Sequence, residues 1–150
     1  MIYARKSIST VLYGLFFLAL CSECLAIDNP DAPDVVAEFE TRAQIFETNI
    51  ENQISTSDIK RTYLEYEKSL DKELNQAYSA LMKHVSSKSR KNLMASQKRW
   101  IQFRDAEFLF IDNNWTLETF GSSYAISRGA SRTTILRNRV VELLYYLRNY

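Results

Sequence analysis

Between residues 57 and 86 the apolar side chains Ile59, Tyr63, Tyr66, Leu70, Leu74, Ala77, Leu81 and Val85 recur at intervals of three or four. A helix lays such residues along one seam, whereas a strand would divide them between two faces. The pattern predicts a long helix, capped near Ser57 and running to about Ser86, whose stripe must be buried against other helices. No segment of the chain sustains the period-two alternation of a half-buried strand.

The rest of the chain is punctuated to match. Asp34, after a lead-in that holds both prolines, is placed to cap a first helix through about Gln53, with Val35, Phe39, Ile45, Phe46 and Ile50 as its apolar positions. Ser86-Ser87-Lys88-Ser89 marks a break before a third helix from Ser89 to about Asn113. Residues 114–127 read as a long loop or short irregular turns around Gly121, and a last helix follows from Arg128 to Arg148 with Ile135, Leu136, Val140, Leu143, Leu144 and Leu147 inward. The expected architecture is an all-α bundle of about four helices, built on an antiparallel hairpin of the second and third.

The chain opens differently. Arg5 and Lys6 precede the apolar run Val11–Leu20, which is too short to span a bilayer and has the length of an export-signal core. Small residues at Cys24 and Ala26 place cleavage after Ala26, so residues 1–26 are expected to be a signal peptide and the product to be periplasmic or secreted. Leu18-Ala19-Leu20-Cys21 also outlines a lipid-attachment site, with a bulky Leu20 where a small residue is usual, so a lipid anchor at Cys21 stays open as the only membrane attachment. Cleavage would remove both cysteines, and with them any disulfide, thiolate metal site or cysteine nucleophile. A small exported domain without crosslinks must hold itself together by packing.

Little else in the sequence points to catalysis. The lone His84 sits beside Lys83 late in the long helix, where a solvated role fits best. No acidic cluster has metal-ligand spacing, and three glycines provide no phosphate-cradling loop, so neither metal nor cofactor is expected. The 19 basic and 18 acidic residues reduce to 17 of each once residues 1–26 are set aside, which argues against nucleic acid as a partner. That balance conceals a segregation: residues 27–54 carry seven acids against Arg42 alone, and residues 55–150 carry 16 basic and 10 acidic groups. The acidic leader is either neutralised against a basic body or free to attract a cationic partner.

The third helix carries an oddity. Leu93, Trp100 and Ile111 define its core line, yet Gln97, Arg104 and Glu107 fall within about 40° of that line. Asp71, Asn75 and Tyr78 share an edge of the second helix beside Leu74. Polar groups so close to a core are costly unless paired, so a cross-helix network is expected: Arg104 with Asp71 or Glu107, aided by Asn75 and Gln97 and joined by Arg139. A binding site is the alternative reading of the same stripe.

These residues also carry a resemblance. The block Asp71-Lys-Glu-Leu74-Asn75-Gln-Ala-Tyr78, then Gln97-x2-Trp100-x3-Arg104-Asp105-Ala106-Glu107, then Gly121-Ser122 and Arg139-x3-Leu143, resembles the lysozyme-inhibitor LprI-like family over residues 57–149. Its members are small, helical and exported or lipid-anchored, and its name implies inhibition of lysozyme. Where the family carries cysteines, this chain reads Thr62-Tyr63, Phe108 and Ser131, so aromatic packing is expected to replace crosslinks.

These readings divide the chain into the signal, an acidic leader with the first helix (27–54) and a helical domain of the resembling family (55–150). The resemblance implies a non-enzymatic protein that binds lysozyme or another peptidoglycan hydrolase. The candidate contact is the loop bearing Trp115, Glu118, Gly121, Ser122, Ser123 and Tyr124, although Trp115 and Tyr124 could equally cover the core. The rival reading is an envelope adaptor whose surface is the basic last helix, with Arg132, Arg137, Arg139, Tyr145, Tyr146 and Arg148.

Overall fold

The computed structural model describes residues 33–150. The expected signal peptide, its cleavage after Ala26 and the anchor at Cys21 lie outside the described residues. Within them the protein is an all-α bundle of four long helices: α1 (Val35–Asn52), α2 (Thr56–His84), α3 (Ser87–Asn114) and, after the short α4 (Leu117–Phe120) and a 3-10 turn (Gly121–Ser123), α5 (Tyr124–Leu147). No described helix is long and apolar enough to cross a membrane.

Local chemistry explains most of the boundaries. Asp34 caps α1 by accepting hydrogen bonds from the Val36 and Ala37 amides at 3.1 and 3.0 Å. The break before α2 falls two residues earlier than expected, with Ser55 rather than Ser57 in the N-cap position. The serine run after α2 breaks the chain only at Val85 and Ser86, because the Ser86 hydroxyl accepts from the Ser89 amide at 3.2 Å and starts α3 at Ser87.

The pair in closest contact is α2 with α5. The expected hairpin of α2 and α3 is therefore not the packing unit. Small residues decide the difference: Gly129 lies so near Tyr63 that an added Cβ would come within 2.4 Å of the ring, and Ala77 is buried on the same seam of α2. The interface buries Tyr66, Leu70, Leu74 and Leu81 of α2 with Leu136, Val140, Leu143 and Leu144 of α5. At about 25 cal/mol per Å² of apolar area removed from water, each such leucine contributes on the order of 2 kcal/mol.

The first helix closes one side of this pair. Phe39 and Ala43 are buried, and the Phe46 ring stacks on Tyr66 at 5.0 Å. Ile45, expected inward, is 60% exposed because the buried stripe steps from Phe39 to Ala43, Phe46 and Ile50 and passes it by. Two acids of the leader are neutralised by this docking, Glu40 and Glu47 pairing with Arg137, while Arg42 of the leader pairs outward with Glu73 of α2 at 2.7 Å.

By contrast α3 buries only Gln97 and Ile111. It meets the other helices through long side chains, Trp100, Arg104 and Phe108, which hold its backbone away from α2.

Candidate functional site

The polar stripe resolves into two clusters. In the inner one Arg139, 5% exposed, donates from Nε and Nη2 to Gln97 Oε1 at 3.1 and 2.9 Å, and from Nη1 to Glu142 at 2.7 Å. Burial pushes the Glu142 carboxyl up, but the bonds from Arg139 and from the Tyr146 hydroxyl outweigh it and leave the group below its ordinary value. The same bond holds the Tyr146 phenol above its ordinary value.

The outer cluster centres on Arg104, which binds Asp105 at 2.6 Å and approaches Asp71 at 3.9 Å. Asn75 donates to the Asp71 carboxylate at 3.3 Å. Glu107, expected as a partner of Arg104, makes neither hydrogen bond nor ion pair among the described residues. The reason is local: Asp105, next along the chain, takes both the Nε and the Nη2 of Arg104.

Arginines lie over two aromatic rings of α3, Trp100 and Phe108. Arg104 and Arg139 lie 5.6 and 5.8 Å from the Trp100 ring centre, and Arg132 lies 4.2 Å from that of Phe108. Such contacts contribute about 0.5–2 kcal/mol each, more where water is excluded. Phe108 stands where the resembling family has a cysteine, and there it joins α3 to α5 through Arg132, which also pairs with Glu67 at 2.7 Å.

Between α2 and α3 the long side chains leave a groove of about 670 Å³, with Leu74, Tyr78, Trp100 and Ile101 among its walls and Asp71, Asn75 and Arg104 at its edge. The groove thus gathers most of the family motif. It contains no pairing of a nucleophile with a base, and no group of three metal-ligating side chains occurs among the described residues.

The segment 114–127, expected as a long loop or short irregular turns, is mostly helical. Trp115 and Thr116 alone separate α3 from α4, because Thr116 and Thr119 form a reciprocal capping box. Gly121, at φ 56° and ψ −149°, turns the chain where a side chain would strain it. The Ser123 hydroxyl bonds to the Phe120 carbonyl at 2.6 Å, and Tyr124 opens α5 a full turn before the expected start. Trp115 and Tyr124 are half-buried, whereas Glu118, Ser122 and Ser123 are exposed.

Arg128, not anticipated from the sequence, fixes this corner. Its guanidinium donates to the carbonyls of Asp112 and Trp115, the open C-terminal end of α3, and lies 4.9 Å from the Tyr124 ring centre. Around this corner Leu109 (64%), Phe110 (56%), Leu117 (64%) and Phe120 (45%) are exposed. Their spacing across a helix end and a turn has no single period, so no sequence pattern flagged them.

The basic last helix is mostly engaged internally. Arg132, Arg137 and Arg139 all pair with carboxylates or amides of the bundle, which leaves Arg148, Tyr145 and Tyr146 as the exposed part of the expected adaptor surface.

The family model described as Lysozyme inhibitor LprI matches residues 48–143. No curated protein and no solved structure matches the chain.

Proposed function

The chain belongs to the lysozyme inhibitor LprI family, whose match covers residues 48–143, and from that premise we propose that it is an exported envelope protein that binds and inhibits lysozyme or a related peptidoglycan hydrolase. The family match carries this reading. Inhibition asks no chemistry of the inhibitor, only a rigid shape that fills a cleft and a rim that fits its charge.

We place the contact at the α3–α4 corner. Four apolar side chains, Leu109 and Phe110 near the end of α3 and Leu117 and Phe120 on α4, are exposed, as is Glu118, on either side of a turn fixed by Arg128 and the Thr116 capping box. Apolar side chains carried on preformed helices lose little backbone freedom on binding, which is the property that favours affinity. The corner lies inside the family match, whereas most of the acidic leader precedes it. In this reading the motif residues Asp71, Asn75, Gln97, Trp100, Arg104 and Arg139 hold the helices in place and act on the target only through the fold.

Titration of the purified protein into lysozymes, with residual muramidase activity as the readout, tests the proposal. Saturable loss of activity is expected; full activity at micromolar protein would refute it for those enzymes.

A further inference from the structure

Phe103 and Phe110 of α3 are 52% and 56% exposed. Seven residues apart, they lie within about 20° of each other around the helix, and the exposed Ser96 continues their line towards its start. Met94 and Ile101, which line the groove between α2 and α3, project about 160–180° away from Phe103, so this line is a different surface. A helix that is apolar on two sides needs cover on both, and the bundle covers only one side of α3.

The charge beside this line changes sign at its centre. From Ser87 to Arg104 the chain has six basic residues and no acid, and from Asp105 to Ser127 it has four acids and no base. Arg99 and Glu107, each four residues from Phe103, flank it at about 40° to either side. Neither joins an ion pair among the described residues. Unpaired cations occur elsewhere on the bundle; the distinction here is an unpaired cation and an unpaired anion placed evenly about one exposed ring.

That arrangement selects its occupant. A uniformly acidic protein or an anionic surface would attract Arg99 and repel Glu107, and an uncharged apolar surface would leave both unpaired. The same helix running antiparallel satisfies every part. A twofold axis at Phe103 sets ring against ring and brings Arg99 of each copy beside Glu107 of the other, about 6 Å to either side along the helix. The basic half of each helix then lies along the acidic half of its neighbour.

We propose that the line through Ser96, Phe103 and Phe110 is a self-association surface, on which two copies of this chain pair their α3 helices antiparallel with Phe103 on Phe103 and Arg99 beside Glu107. The paired stretch is only about 21 Å of helix, smaller than a standard stable interface, so the dimer is of micromolar or weaker affinity. Phe110 belongs also to the α3–α4 corner. If the proposed function holds, the dimer withholds that side chain and the monomer is the form that engages the hydrolase.

Sedimentation velocity of the purified protein from about 1 μM to about 1 mM tests this. The mass should rise from one copy towards two with concentration, and salt should weaken the association. R99E alone and E107R alone each set like charges together at both ends of the interface and should weaken it at least about tenfold. An equimolar mixture of the two variants restores opposite charges at every contact and should associate at least as well as the parent. Phe103→Ser should also weaken the dimer at least about tenfold, with circular dichroism unchanged because the side chain is exposed. A monomer at every concentration would overturn the proposal, as would single variants that associate no better mixed than alone. If E107R does not fold, Phe103→Ser decides, and parental association by that variant would overturn the proposal. Sedimentation needs no enzyme, so a monomeric result leaves muramidase inhibition untouched, and a dimer that inhibits nothing leaves this surface standing.

Discussion

Arg139 and Gln97 meet in the interior of the bundle, two hydrogen bonds of 3.1 and 2.9 Å joining a buried guanidinium of α5 to a buried amide of α3. Since α3 otherwise buries only Ile111, this pair is a principal attachment of that helix. Gln97→Ala leaves a buried charge short of its acceptor and should cost about 1–3 kcal/mol. The double-mutant cycle with Arg139→Met should give a coupling of about 0.5–3 kcal/mol, measured by urea unfolding, because the two effects share one interaction.

Gly129 sets the approach of α5 to α2. Gly129→Ala would drive a methyl group into the Tyr63 Cγ and Cβ, atoms anchored too near the backbone to swing away. Helix propensity favours alanine by up to about 1 kcal/mol, yet overpacking costs about 1–3 kcal/mol, so a net loss of stability is expected. Thermal unfolding checks the sign, and Tyr63→Ala combined with Gly129→Ala should relieve the clash.

Alkaline pH should loosen the α1 contact. Burial holds the Tyr66 phenol well above its ordinary value, and its bond to Glu47 at 3.0 Å adds to the shift. A folded-state value above the unfolded one means that the stabilisation is complete below pH of about 10 and is lost as pH rises through the folded value. Unfolding free energy should therefore fall from about pH 10 upward, by up to about 1.4 kcal/mol per pH unit. Tyr66→Phe should make that fall shallower; the half-buried Tyr63, also raised by burial, supplies the remainder.

Arg137→Glu should destabilise the fold. Arg137 holds Glu40 and Glu47 of α1, and reversing its charge would gather three carboxylates on one partly buried spot. A loss of about 2–4 kcal/mol in urea unfolding is expected, against almost none for the exposed Arg148→Glu. Equal, small effects of the two substitutions would contradict this account of how α1 is attached.

The helices were legible because their signals are local. The three-to-four periodicity from Ile59 to Val85 and the cap at Asp34 need only their neighbours, and both appear in the structure. What was not legible depends on approach between distant segments. Nothing in the sequence pairs α2 with α5 in preference to α3 until Gly129 is seen against Tyr63, although an isolated glycine within a helical pattern is a clue to such an approach. The helical pieces of the corner at 114–127 are too short for periodicity to show, and their order comes from the Thr116 box and from Arg128, sixteen residues from Asp112. Gln97 and Arg139 were singled out by their place near a core line; that Arg104 turns to Asp105 rather than Glu107 could not be read from that geometry.

In the proposed function, hydrolase inhibition is exerted at the α3–α4 corner while the motif residues maintain the fold. The most direct measurement is the lysozyme inhibition constant of the variant carrying Phe110→Ser and Phe120→Ser, beside its melting temperature. Since central apolar contacts each contribute about 1–2 kcal/mol or more to an interface, inhibition should weaken at least about tenfold with the melting temperature held near the parent's. A variant that folds and inhibits as well as the parent would contradict the account.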